Sequence, residues 1–156
     1  MQADYSKRQK ATVSSNFAVT VDYNISVEDA LRRGKYTYID DISSDNFPPS
    51  RHRRGIKKLS IQLVHFSHDV TKEQLLEELK HKGLRAAELR ELLALGEQYP
   101  DIQRQVRVLA LGSVWMRIQN HRSAPFLSGS VKSRSLFLMF LDRTLPRDCW
   151  FAAVRR

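Results

Sequence analysis

The 156-residue chain has a single cysteine, Cys149, so no intramolecular disulfide can close and a disulfide-stapled extracellular scaffold is excluded. It also lacks any stretch near the roughly 20 apolar residues that span a bilayer, and its opening residues lack the apolar run of a signal peptide. A cytoplasmic location without a membrane partner is the expectation. Glycine-rich phosphate loops are missing as well. Gly112-Ser113-Val114-Trp115 is not a Gly-x-Ser-x-Gly elbow, and no Walker or Rossmann glycine pattern occurs. Hydrolase and nucleotide-binding readings lose their main support, and no cofactor is implied.

What the chain does have is apolar content of 42% and charged content of 28%, which places it with globular rather than disordered sequences. Its length suits one core without covalent staples. The 26 basic residues exceed the 17 acidic ones, for a net charge of +9. Residues 1–60 hold 11 basic and 7 acidic side chains, 61–100 hold 5 and 7, and 101–156 hold 10 and 3. The excess lies at both ends, which favours an anionic partner such as a nucleic acid, an acidic protein or a lipid surface.

Hydrophobic periodicity divides the chain into a polar, basic, flexible arm over 1–16 and a single α+β domain over 17–156. Phe17, Val19, Val21 and Tyr23 alternate as a half-buried strand. Ser26 before Val27–Arg33, with acids in the first turn, bases in the last and Gly34 after it, predicts a short capped helix. Two prolines in Phe47-Pro48-Pro49-Ser50 stop regular structure, and a basic loop, Arg51-His52-Arg53-Arg54, follows. Ile56–Phe66 reads as a central strand. Thr71-Lys72-Glu73-Gln74 is a capping box that opens a helix ended by Gly83, with Glu73, Glu77 and Glu78 facing water. A second helix is predicted over Ala86–Gln98, paired with the first. Val106–Trp115 then reads as a strand, Met116–Arg134 as a long polar loop containing Pro125 and Gly129, and Ser135–Leu141 and Cys149–Val154 as antiparallel neighbours. The class is α+β with a mostly antiparallel sheet and a helix pair, in the order strand, helix, helix, strand, long loop, strand, strand.

That order over residues 56–156 is similar to the C-type-lectin-like fold, with Gly83–Leu95 resembling its second-helix phrase and Phe151–Arg156 its terminal strand. Such a resemblance implies a lectin-like core. Calcium-dependent sugar binding is disfavoured even so, because Met116–Arg134 contains no Asp or Glu to ligate a hard cation. Gly83–Trp115 together with Phe151–Arg156 also resembles a family of small uncharacterised bacterial proteins, which implies no activity.

Candidate chemistry is sparse. His65 and His68 stand three apart, but no cysteine pair or second histidine pair lies at zinc-site spacing, so no metal site is expected. Cys149 needs a nearby base such as His65, His68 or His121 to serve as a nucleophile, yet its neighbours Trp150 and Phe151 read as a buried apolar run. Trp115 and Trp150 adjoin strands and are expected to pack rather than to stack on bases. Two basic clusters remain: Arg51, Arg53, Arg54, Lys57 and Lys58, and, in the long loop, Arg117, Arg122, Lys132 and Arg134. The reading is a non-enzymatic binding module that presents a basic loop surface to an anionic or protein partner, the alternative being a nucleic-acid-binding accessory protein that grips phosphates.

Overall fold

The computed structural model describes residues 11–14, 16–116 and 121–156. In chain order, β1 (Ala11–Val13), β2 (Phe17–Asp22), α1 (Val27–Gly34), β3 (Tyr38–Ile39) and β4 (Ile56–Phe66) come first. The two following helices, α2 (Lys72–His81) and α3 (Leu89–Gln98), flank β5 (Leu84–Ala86). After the short α4 (Ile102–Gln105) come β6 (Arg107–Leu109), β7 (Trp115–Met116), β8 (Arg122–Gly129), β9 (Arg134–Phe140) and β10 (Cys149–Arg155). All ten strands join one open sheet with the path β1-β4-β10-β6-β8-β9-β3, while β2, β5 and β7 pair with β4, β10 and β8. Pairing is antiparallel except for β10 with β6 and β3 with β9. An α+β fold with a large, mostly antiparallel sheet is therefore established.

Alternation along the strands sends side chains to two covered faces. On the first face Ile61, Leu63, Ala152, Val154, Val108, Leu127 and Leu136 pack under α1 and α3 through Leu31, Leu92 and Leu95. On the second, Val64, Phe66, Phe151, Ala153, Leu109 and Phe126 pack under α2 through Leu75 and Leu79, with Val70 and Leu145 alongside. Central strands so enclosed lose their polar positions: Phe151–Val154 and Ser123–Leu127 are buried without interruption. Where β2 forms an edge, the Gln98 amide donates to Thr20 O and accepts from Thr20 N, and Tyr99 Oη donates to Ala18 O. Those side chains occupy backbone groups that an edge strand otherwise offers to another chain.

Several expectations from the sequence are corrected. Residues 11–13, assigned to the loose arm, form β1 against Val64–Phe66. Ala86, expected to start the second helix, ends the strand Leu84–Ala86 that pairs with Ala153–Arg155, and the helix begins at Leu89. The paired helices are α1 and α3, because α2 covers the opposite face. Gly34 closes α1 and Lys35 takes the left-handed position at φ 51°. Glu78 is buried, with its carboxylate 3.5 Å from Lys82 Nζ.

The expected long loop is mostly strand. β8 lies between β6 and β9, and a turn at Ser130–Ser133 connects it to β9. Pro125 is tolerated because it stands beyond the last residue of β6, where its carbonyl accepts the Ala110 N–H. β9 and β10 do not pair. Leu145, bonded to Val70 through backbone groups in both directions, carries the connection away from β9, and β10 enters between β4 and β6.

Candidate functional site

The five cations of the first basic cluster do different jobs. Arg53 Nε donates to Glu88 Oε2 at 2.9 Å, which ties the loop to the start of α3. Arg51, Arg54, Lys57 and Lys58 are exposed and form no ion pair among the described residues. Lys58 shares with Ile56, Ser60, Asp22, Thr20 and Ala18 the sheet face that α2 covers only farther along β4. No described element covers that end of the face, and Ile56 stands on it 66% exposed.

The second cluster does not exist as a unit. Arg122 opens β8 and is exposed, whereas Lys132 is exposed in the turn beyond the other end, about 23 Å of strand away. Arg117 lies outside the described residues. Arg134, expected to be exposed, is 7% exposed, and its guanidinium donates to the carbonyls of Gly34, Gly96 and Pro100. It is part of the scaffold.

A cleft of about 340 Å³ opens where α3 begins, lined by the 46–52 loop, residues 88–90 and residues 112–114. Phe47, an apolar residue in a polar proline-rich stretch, is 5% exposed and meets the Trp115 ring at 6.5 Å, so hydrophobic burial anchors the loop over the helix. Ser113 Oγ accepts the Leu89 N–H at 2.7 Å, which satisfies one of the unpaired donors of the first turn. Arg90 is 9% exposed and donates to Ile25 O, and burial pulls its pKa down. Arg51 and His52 stand at the rim.

Behind the cleft, fully buried Glu91 accepts two hydrogen bonds from Arg85, at 3.0 and 2.7 Å, one from Tyr23 Oη at 2.5 Å and one from the Glu88 N–H at 2.7 Å. Burial pushes its carboxyl up, but these bonds outweigh burial and hold it below the usual range. Tyr23 moves upward through burial and through its bond to Glu91. This network fixes the first turn of α3, and with it one wall of the cleft. Neither Arg90 nor Glu91 was singled out from sequence, although each interrupts the apolar run of α3 and Glu88-x-x-Glu91 has the spacing of a capping box.

The remaining candidates are placed elsewhere. His65 stacks on Trp150 at 4.6 Å on one face of the sheet, while His68 meets Phe66, whose ring belongs to the other face, so the two imidazoles do not converge. Among the described residues no group of three or more His, Cys, Asp or Glu is placed to hold a metal ion. No helix among them is long and apolar enough to cross a membrane. Trp115 and Trp150 are half-buried against the core, in line with packing. Cys149 is fully buried, and burial pushes its thiol up to about 11. A thiol reagent at neutral pH is therefore expected to label the folded protein far more slowly than the unfolded protein in denaturant; equal rates count against this placement.

No protein-family model, curated protein or solved structure matches the chain.

Proposed function

We propose that the chain is a non-enzymatic binding module that takes an acidic protein partner on the surface around Ile56, with Arg54 and Lys58 as its cations. The observation that carries this reading is Ile56, a large apolar side chain standing 66% exposed beside Arg54 and Lys58, which form no ion pair among the described residues. An apolar contact rimmed by charge is how protein interfaces combine affinity with steering, whereas a surface that only grips phosphates gains nothing from isoleucine. The resemblance of residues 56–156 to the C-type-lectin-like fold adds no weight, since likeness of fold does not carry function.

The test is fluorescence anisotropy with two probes, a Glu-rich peptide interspersed with leucine and a 15-base-pair duplex, each measured over a range of salt. Arg54→Ser with Lys58→Ser is expected to abolish most peptide binding. Ile56→Ser is expected to weaken it about tenfold while leaving stability within about 0.5 kcal/mol, because the side chain is already in water in the free protein. Duplex binding that is tighter than peptide binding, indifferent to Ile56→Ser and steeply salt-dependent supports the nucleic-acid alternative instead.

A further inference from the structure

We propose that the cleft at the start of α3 is a site for a small phosphate monoester, its oxyanion held between the guanidiniums of Arg90 and Arg51 and its organic body against the Phe47–Pro49 wall. The proposal does not depend on the surface reading above, which uses Arg54, Lys58 and Ile56, whereas Arg51 belongs to the cleft.

Arg90 is the chief observation. A guanidinium carries five N–H donors and a permanent charge. This one is nine-tenths buried, yet it makes one hydrogen bond, to the neutral carbonyl of Ile25, and no ion pair among the described residues. Glu28 and Asp22 act on it only through space, and Glu28 is itself engaged by the Ser44 N–H. Burying a cation with so little compensation costs stability. Its remaining nitrogens are not sealed off, since no Arg90 atom is both buried and unpartnered, and the residue lines the cleft. The proposal assigns them to a ligand entering it.

The surroundings agree in charge and in donors. Glu88, the carboxylate of the lining, is neutralised by Arg53, so the lining itself presents Arg51 and Arg90, with Glu28 and Asp22 offsetting Arg90 in part from outside it. That matches a phosphate monoester, which gathers about −1.5 to −2 and three acceptor oxygens on one group, better than a carboxylate group, which carries a single charge on two oxygens, so a dicarboxylate of equal total charge cannot set both charges between the two guanidiniums. Ser113 uses its oxygen to accept the Leu89 N–H, which leaves its O–H to donate. Val27, Phe47, Pro48, Pro49 and Val114 give the cleft an apolar side. Its volume of about 340 Å³ lies at the small end of ligand sites, which suits a sugar phosphate or mononucleotide.

Calorimetry with ribose 5-phosphate, adenosine 5′-monophosphate, inorganic phosphate, succinate and adenosine tests the assignment. Saturable 1:1 binding is expected for the two esters, weaker binding for inorganic phosphate, and none for succinate or adenosine. Arg90→Leu is expected to weaken ester binding at least about tenfold, since charge-assisted hydrogen bonds to phosphate are lost. It should also leave the thermal midpoint unchanged or raised, because a poorly compensated buried charge is removed. That second outcome separates a ligand-binding arginine from a structural one. Should Arg90→Leu fail to fold, Arg51→Ser, a change at the exposed rim, serves in its place and is expected to weaken binding several-fold. No saturable ester binding by the folded parent, equal binding of inorganic phosphate or succinate, or unchanged affinity in the folded variants would overturn the proposal. Loss of peptide binding with ester binding retained fails only the surface reading, and the reverse fails only this one.

Discussion

Glu91→Gln is expected to destabilise the fold by about 3–5 kcal/mol at neutral pH, because it leaves the Arg85 guanidinium partly buried without its counter-ion. Glutamine keeps the shape, and one oxygen still accepts from Tyr23 or from the Glu88 N–H, so the loss reports charge rather than a cavity. The dependence on pH has a definite sign. Glu91 titrates lower in the folded chain than its ordinary value of 4.5, so its contribution is fully present above about 4.5 and is lost as pH falls through the folded value. The stability gap between parent and Glu91→Gln should accordingly be constant from pH 7 to 5 and narrow toward pH 3. Denaturant melts at several pH values measure it; a gap that widens in acid contradicts the assignment. Adding Arg85→Met to the variant should restore part of the loss, since removing both charges is less costly than stranding one.

The reading of Glu91 also marks what was legible in the sequence. Ser26, Thr71 and Gln74 announced their helix starts because capping is local chemistry within four residues, and each cap is formed. Ile56–Phe66 was legible because its length and branched residues leave few alternatives. β8 was not, since Ser123, Pro125, Ser128 and Gly129 read as a loop. In a strand buried on both faces the period-2 signal disappears, and small residues are what the crowded centre accepts. Pairing of β10 with β4 and β6 instead of β9 is a choice between non-local partners that no window of sequence contains. The basic segment 51–58 was found from composition, but its sorting was not. Arg53 meets Glu88 across 35 residues, and Arg134 reaches Gly34 across 100.

Arg134→Met is the second substitution expected to cost about 3–5 kcal/mol, and the reason is the reverse of that for Arg90, since each of the three nitrogens of this buried cation donates a hydrogen bond. Its fork donates to Gly34 O at the end of α1, to Gly96 O in the last turn of α3 and to Pro100 O at 3.2 Å. Each helix end carries about half a negative charge on such carbonyls, so two ends together compensate one guanidinium. The Tyr36 ring completes the seat, 4.9 Å below the guanidinium carbon. Two glycines make room for that ring, because a Cβ on Gly34 would lie 2.1 Å from it and one on Gly96 2.3 Å from its hydroxyl. Methionine retains most of the volume but leaves three carbonyls without their donor. Lysine keeps the charge but cannot span the three acceptors with a planar fork, so Arg134→Lys should fall between parent and Met. The expected order of denaturation midpoints is parent, Lys, Met, whereas Lys132→Ala, two residues away in the exposed turn, should stay within about 0.5 kcal/mol of the parent. A Met variant as stable as the parent would show that the helix ends hold together without the guanidinium, and equal losses for Lys and Met would show that the fork, not the charge, carries the contribution.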